Sequence, residues 1–478
     1  MKNLSNNHAT GCFAHSSAFR YNLRSWGFVP FYVLPLAFFL LSCKDQVQLI
    51  QEPAVAISLA DEDLGAPRTQ LFKQQISRQV ENTDRLRLWL GHTGWQPTGF
   101  HVDKNSIITV HVRKISGTDL PKLMLGTPAS GGREYDTFFQ LKEGTNVINT
   151  ETDLEIFYFG GRGPEKWGGN VYIDYTSDSP GAHGESEITF ESGFKKIPYY
   201  IQGETSIADY QRMLDVFGDS VHQATLVSDR VMLNFTIANA RQYRSSNIDS
   251  LLLICDQVTA SVEAISGLDR SSPEHYPRTA RLLITDKPDG VPTSGFSISF
   301  PQISMNEILT PSLLRRSWGL YHEIGHAYQQ AWTWFAVSEV TVNIFSRAAQ
   351  RAMGFSIGRT ENSWNIVDAY LAKPDAERNF NTDEPLSYDR LEMFHQLWLA
   401  YGDGFYQNLH KKCRVDKPIL NNDDEKMAYF MTTACDIAGE DLTDFFRKWG
   451  LPASQATYAA IANKNLPQPS RDYSTLRD

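Results

Sequence analysis

The spacing of apolar residues changes along this 478-residue chain, and the change strongly limits the folds it can adopt. Between about residues 95 and 175, β-branched and aromatic runs such as 107–112, 154–159 and 170–175 are separated by glycine-rich turns. Beyond residue 311, nearly every stretch has helical spacing. Strands followed by helices predict an α+β fold, in which an N-terminal β-sandwich precedes a domain with a mainly helical C-terminal half.

Composition shifts divide the chain into four predicted parts. Residues 1–42 form a leader, and residues 43–91 form a polar tether followed by an amphipathic helix over about 69–90. The sandwich is predicted for 92–180 and the second domain for 181–478, where the strand-like runs 224–235, 281–285 and 296–300 precede the helices.

The leader has the pattern of an export signal. Its first 26 residues carry Lys2, Arg20 and Arg24 without any acidic residue, and an apolar stretch over 28–41 follows. This stretch is shorter than the ~20 residues of a membrane-spanning helix. Leu40-Leu41-Ser42-Cys43 then resembles a bacterial lipobox, which predicts acylation of Cys43 and an outer-membrane lipoprotein, at the cell surface or on the periplasmic face. The alternative is a buried apolar N-terminal segment.

Charge and cysteine content exclude two classes of function. A formal net charge of -10 disfavours nucleic acid as a partner, because binding to phosphates requires a basic surface. No CxxC pair is present, so the cysteines do not indicate a zinc knuckle. Of the cysteines after Cys43, Cys413 and Cys435 could form a disulfide, or all three, including Cys255, could be buried free thiols.

The segment 321–330 contains the motif HExxH. Thr310-Pro311 upstream is a typical helix start. Residues four apart lie on one face of a helix, so His322 and His326 can bind one ion. Glu323 would lie beside that ion, where it can take a proton from water as a general base. Zinc suits this set, because it accepts imidazole and carboxylate ligands and leaves a fourth position for water.

The third predicted ligand is Glu339. It lies thirteen residues after His326, far enough for the chain to return in a second helix. Asn343 follows at i+4 on the same face, where its side chain can hydrogen-bond and orient a ligating imidazole. One Zn²⁺ per chain is therefore the predicted cofactor.

These residues resemble the M60-like, or enhancin, family of gluzincin peptidases. The resemblance covers about residues 92–455 and is carried by several motifs, namely His322-Glu-Ile-Gly-His326 with Gln329, Glu339-Val-Thr-Val-Asn343, Trp318-Gly-Leu, Trp95-Gln-Pro-Thr-Gly99, Ala224-Thr-Leu-Val-Ser-Asp229 and the segment from Asp441 to Trp449-Gly. It implies a gluzincin-type catalytic domain that cleaves glycosylated, mucin-like proteins. A monomer is the default oligomeric state.

The sequence departs from the family before the metal helix. Many relatives have Gly-Tyr-Pro there, whereas this chain has an alternation of apolar residues and serines over 294–300. We predict an edge strand that binds the substrate backbone, with an interior strand as the alternative. The predicted substrate-binding residues are Gly295, Phe296, Ser297 and Ile298. Two other functions stay open: a zinc aminopeptidase and a non-enzymatic lipoprotein that binds glycans through the sandwich.

Overall fold

A computed structural model describes residue 60 and residues 63–126, 136–157, 168–179, 183–357 and 361–478. The predicted leader, Cys43 and most of the tether lie outside these residues. Within the described part of the chain, no helix is long and apolar enough to cross a membrane.

The N-terminal part is built from short strands in chain order. Their bounds are β1 Thr69–Lys73, β2 Gln75–Ile76, β3 Gln96–Val102, β4 Ile107–Ser116, β5 Lys122–Gly126, β6 Asp136–Gln140, β7 Gly144–Asn149, β8 Glu155–Phe157, β9 Gly169–Asp174, β10 Thr176–Ser177, β11 Glu185–Ser192 and β12 Lys195–Lys196. One antiparallel sheet has the order β1-β11-β4-β7, and a second has the order β12-β3-β9-β5-β6-β8. β2 and β10 form a separate parallel pair.

Alternating side chains hold the two sheets together. In β4, Ile108, Val110 and Val112 are buried, whereas Ile107 is exposed. The buried set packs with residues of the other sheet, such as Phe100, in one apolar cluster. This period of two is the pattern expected of a sheet with one buried face, and it confirms the predicted sandwich.

The structure corrects the prediction for residues 69–90. They form β1, β2 and a seven-residue π-helix, Gln79–Arg85, instead of one amphipathic helix. Pairing of β1 with β11 in the sheet overrides the helical spacing, and Leu71 is exposed while Phe72 is buried. The sandwich therefore takes its strands from 69–196, on both sides of the predicted range.

A mixed sheet follows the sandwich. Its strands are β13 Tyr199–Ile201, β14 Gln223–Val227, β15 Val231–Thr236, β16 Leu282–Lys287, β17 Thr293–Ser294 and β18 Ile298–Pro301. Their spatial order is β13-β14-β15-β16-β18-β17. β15, β16 and β18 run parallel, and β17 closes the sheet as an antiparallel outer strand.

The helices dominate the C-terminal half, as predicted for this α+β fold. Their bounds are α1 Ile207–Val216, α2 Ile237–Gln242, α3 Ile248–Ile265, α4 Met305–Ile308, α5 Pro311–Leu314, α6 Trp318–His326, α7 Ser338–Ala352, α8 Glu361–Leu371, α9 Leu391–Tyr401, α10 Asp403–Asp416, α11 Asp423–Ala438, α12 Thr443–Lys448 and α13 Gln455–Ala462.

One large core joins the mixed sheet to these helices. Its aromatic centre lies after α6, where Trp332 stacks on Phe430 with ring centroids 5.4 Å apart. Trp334 packs against the same phenylalanine at 5.8 Å. Burial of such rings is worth several kcal/mol. It fixes the chain between α6 and α7, the two helices that carry the predicted metal ligands.

Cys255, Cys413 and Cys435 are buried free thiols. The alternative of a Cys413–Cys435 disulfide is therefore not adopted. Burial raises the pKa of Cys413 and Cys435 to about 12, so these side chains behave as small apolar groups.

Candidate metal centre

The helix that carries HExxH begins later than the sequence indicates. Thr310-Pro311 starts the one-turn helix α5, and α6 begins at Trp318. Ser317 is its N-cap, and the Ser317 side chain accepts a hydrogen bond from the Leu320 amide at 3.1 Å. Thr310-Pro311 therefore does mark a helix start, but it is the start of α5 and not of the helix that carries the motif.

Gly325 allows α6 and α7 to approach closely. A Cβ added at this position would lie 2.9 Å from the Val342 carbonyl oxygen and 3.0 Å from Val342 Cγ2. Only glycine fits this contact without displacing α7. The glycine inside the motif therefore sets the distance between the histidines on α6 and Glu339 on α7.

We expect Gly325→Ala to destabilise the protein and to weaken metal binding. Overpacking costs about 1–3 kcal/mol, which exceeds the ~1 kcal/mol that alanine gains over glycine in a helix. Gly319→Ala is a matched control on the same helix, because its added Cβ would meet no atom closer than 3.8 Å. Denaturant unfolding gives the free energy of unfolding of both variants. Equal values for Gly325→Ala and Gly319→Ala would contradict the expected destabilisation.

The three predicted ligands converge. Glu339 Oε2 lies 3.0 Å from His322 Nε2 and 3.3 Å from His326 Nε2. The two Nε2 atoms are 3.1 Å apart. The ligand atoms of His322, His326 and Glu339 all lie within 4.8 Å of one another, so one ion can contact all three side chains.

Two amides fix the orientation of the imidazoles. Asn343 donates from Nδ2 to the Glu339 carbonyl, so its Oδ1 accepts from His322 Nδ1 at 2.9 Å. Gln329 donates from Nε2 to the Ser338 carbonyl, so its Oε1 accepts from His326 Nδ1 at 2.6 Å. With both protons on Nδ1, both Nε2 lone pairs face Glu339.

This donor set fits a metal cation. Two nitrogen lone pairs and a carboxylate facing one another repel unless a positive charge lies between them. Without a cation, a proton on an imidazole Nε2 can take its place. Hydrogen bonds from His322 and His326 then hold the pKa of Glu339 far below its ordinary value. Burial lowers the pKa of His322, but hydrogen bonds to Glu339 and Asn343 and the charge of Glu323 together raise it.

Glu323 lies beside the ligands but is not one of them. Its side chain is buried, and Oε2 has no hydrogen-bond partner among the described residues. Burial raises the pKa of its carboxyl group. An unpartnered buried carboxylate oxygen next to a metal site is placed to accept a proton.

Gln329 is an orienting residue that the sequence reasoning leaves without a role. Gln329 lies only three residues after His326, close enough to suggest a contact. However, α6 ends at His326, so Gln329 lies outside the helix. Helical periodicity therefore cannot place it. Its buried side chain also donates to Thr341 Oγ1 at 2.9 Å, which ties the end of α6 to α7.

We expect Asn343→Ala and Gln329→Ala each to lower metal affinity by about 10–100-fold without abolishing binding. Each removes the acceptor that holds one imidazole in its metal-binding tautomer. Gln350→Ala, near the C-terminal end of α7, is the control, since the Gln350 side chain donates only to the Ser356 carbonyl among the hydrogen bonds described. Competition with a chelator measures the affinities, and wild-type values for both variants would contradict the orienting role.

Residues 294–300 do not form the predicted single edge strand. β17 is the outer strand of the sheet, and β18 lies between β17 and β16. Between them the chain turns, and the Gly295 amide donates to the Ser297 carbonyl at 3.1 Å. A Cβ at Gly295 would meet no described atom within 4 Å. Of the four predicted substrate-binding residues, Gly295 is thus the one that is not buried.

The turn also breaks the predicted alternation. Phe296 packs against Trp95 of the sandwich with ring centroids 4.9 Å apart, whereas Ile298 lies in the core around α6. Ser297 and Ser299 are both buried. Neither serine is therefore exposed to a substrate backbone, as the predicted edge strand would require.

The fold and the site are those of a metallopeptidase. Residues 193–450 match the family model described as Peptidase M60, enhancin and enhancin-like. The match covers more than half of the chain. The protein belongs to this family, which confirms the resemblance seen in its motifs.

Known proteins resemble this chain in sequence or in fold. TRPM8 channel-associated factor 3 of Rattus norvegicus is 21% identical over 430 residues, which are 87% of this chain and 44% of that protein. The chain thus spans less than half the length of this relative. A conserved protein of unknown function from Bacillus anthracis str. Ames, solved as a mutant, has a TM-score of 0.72 at 24% identity, covering 86% of this chain and 81% of that one.

A third match is the M60 catalytic domain of Clostridium perfringens ZmpC, solved in complex with the sialyl T antigen. It has a TM-score of 0.69 at 19% identity and covers 86% of this chain and 82% of that one. At these identities the two solved structures establish the shared fold.

Proposed function

We propose that the protein is a zinc endopeptidase that hydrolyses peptide bonds in glycosylated, mucin-like proteins. The observation that carries this proposal is the convergence of His322, His326 and Glu339 beside the unpartnered oxygen of Glu323. Three ligands from the protein leave room for water and substrate, which is the arrangement of catalytic rather than structural zinc sites.

Each residue of the site then has a defined task. Zinc held by His322, His326 and Glu339 would act as a Lewis acid toward water and the scissile carbonyl. Glu323 Oε2 accepts the proton that water loses as it attacks the carbonyl carbon. Glu323 then donates that proton to the nitrogen of the departing amine. The Asn343 amide keeps His322 oriented throughout.

The outer strand β17 supports an endopeptidase. It contacts α6, the helix that carries two of the metal ligands, and it has no second strand neighbour among the described residues. An extended substrate can pair with the edge of such a strand through its backbone. The open position at Gly295, directly after β17, leaves room for that backbone.

The glycoprotein part of the proposal rests on family membership and on the ZmpC complex with a glycan antigen. The name of the rat relative describes association with a channel, which makes a purely binding role the competing reading. The convergent ligands and Glu323 favour catalysis, because a protein that only binds needs neither.

Digestion of a mucin and of its deglycosylated form tests the proposal. We expect new amino termini from the glycosylated form, and their loss with a chelator. Cleavage of an acetylated glycopeptide at internal bonds separates an endopeptidase from an aminopeptidase, which requires a free amino terminus. Cleavage of the deglycosylated form alone would contradict the glycoprotein assignment.

We also propose export and anchoring through acylated Cys43, which supports contact with extracellular glycoproteins. Membrane fractionation of cells that produce the full chain, together with its Cys43→Ser variant, tests this. With cells grown on a labelled fatty acid, we expect the full chain to carry the label and to fractionate with membranes. We expect the Cys43→Ser variant to do neither. Equal fractionation of both proteins would contradict the anchor.

A further inference from the structure

A polar cavity lies close to the C-terminal end of α6. It has a volume of about 250 Å³, and its walls include Arg230, Glu263 of α3, Arg278 and Tyr328. Tyr328 comes two residues after His326, so the cavity adjoins the end of the motif. Arg278 belongs to the segment that leads into β16.

The single buried carboxylate of this cavity is already satisfied. Glu263 accepts from the Tyr328 hydroxyl through Oε1 at 3.2 Å. Its other oxygen, Oε2, accepts from Arg230 Nη1 in a close ion pair. Each Glu263 oxygen thus already accepts one hydrogen bond, and neither accepts one from Arg278.

The Arg278 guanidinium feels the charge of Glu263 but forms no hydrogen bond within the described part of the chain. Its Nε, Nη1 and Nη2 atoms are all buried, and none has a hydrogen bond among the described residues. A guanidinium group carries five N–H donors and keeps its charge in proteins. Leaving such a group buried and unpaired is costly, so this side chain demands an acceptor that the described residues do not supply.

The surroundings carry an excess of positive charge. Three arginines and two acids line the cavity, since Arg270 and Asp229 lie exposed beside the buried groups. Beyond the walls, burial and the charge of Arg278 both lower the pKa of Arg78. A bound anion would relieve this repulsion.

We propose that this cavity binds a small oxyanion, a carboxylate, phosphate or sulfate group, with Arg278 as its main ligand. The planar guanidinium suits two oxygens of one such group at once. The volume is below that of sites for drug-sized ligands and fits a small ion with a few waters.

The anion would connect three parts of the fold. Arg278 lies next to Thr279, whose amide and hydroxyl both donate to Glu81 at 2.8 Å. The cavity is also walled by α3 and by the residue that follows α6 closely, Tyr328. A ligand held here would stabilise the segment before β16 against the metal helix.

Binding of inorganic sulfate, inorganic phosphate and acetate by the full chain tests the proposal, with calorimetry and thermal unfolding at constant ionic strength. We expect one saturable site and a melting temperature that rises with occupancy. Titration in the low-millimolar range avoids the general stabilisation by sulfate at high concentration. The three anions separate a preference for carboxylate from one for tetrahedral oxyanions.

Variants of Arg278 and a surface arginine complete the test. We expect Arg278→Gln to fold and to bind the anion about 10–100-fold more weakly. Arg244→Gln is the control, since Arg244 pairs with Asp215 at the surface. Arg278→Lys keeps the positive charge but lacks the planar guanidinium, so it should also bind the anion more weakly. It replaces Arg278→Gln in the test if that variant does not fold. Absence of saturable binding, or equal affinity in the Arg278 and Arg244 variants, would overturn the proposal in favour of a water-filled cavity.

Discussion

Replacing Glu323 with glutamine is expected to leave one metal ion bound per chain and to remove nearly all peptide cleavage. Glutamine has nearly the same shape as glutamate but cannot accept the proton from water. Loss of a general base typically costs ~10²–10⁴-fold in rate. Glu323 does not contribute a ligand atom to the cluster, so metal content should not change.

Metal analysis and cleavage rates should be measured on the same sample of Glu323→Gln. A melting temperature close to that of the unmodified protein is the control for folding. The buried Oε2 makes no hydrogen bond to a described residue that the substitution could break. Cleavage at a rate near that of the unmodified protein would contradict the assigned role.

Replacing Glu339 with alanine is expected to have the opposite pattern, with metal and activity lost together. Removal of a residue that orients a ligand lowers metal affinity about 10–100-fold. Removal of Glu339, the anionic ligand of the cluster, should therefore lower it further. Without its carboxylate, the cluster keeps two neutral imidazoles that attract a cation weakly. Chelator competition gives the affinity of the variant.

Glu307→Ala is the matched control for Glu339→Ala, because Glu307 is an exposed glutamate on the short helix α4. It changes the net charge by the same amount without touching the cluster. Full metal occupancy in Glu339→Ala under chelator competition would require a different third ligand. Loss of metal in both variants would indicate a general charge effect instead.

The metal centre could be predicted because its information is local. His322 and His326 are one helical turn apart, and Glu339 and Asn343 repeat that spacing on the next helix. Helix geometry alone places each pair on one face. What the spacing cannot give is the contact at Gly325, which depends on how two helices pack.

Errors occurred where strand pairing decides the structure. Residues 69–90 have helical spacing, yet the first of them pair with β11, more than one hundred residues later. Residues 294–300 alternate as a strand does, yet a turn at 295–297 separates β17 from β18. Local periodicity contains neither the long-range pairing of β1 with β11 nor the turn that interrupts the alternation at 295–297.

The Arg278 cavity shows the same limit for a binding site. Its groups come from Arg230, Glu263, Arg278 and Tyr328, which are far apart in the sequence and share no motif. An arginine in a sequence is ordinarily read as a solvated surface residue. Only the fold shows that the guanidinium nitrogens of Arg278 are buried and find no acceptor among the described residues.

The most direct test of the central claim is a zinc titration of metal-free protein, with new amino termini from a mucin counted at each step. We expect cleavage to be absent without metal, to rise with added zinc and to level off at one ion per chain. The Glu323→Gln variant should take up the same zinc without cleavage. Cleavage by the metal-free protein, or a fully loaded protein that cleaves neither the mucin nor its deglycosylated form, would contradict the account.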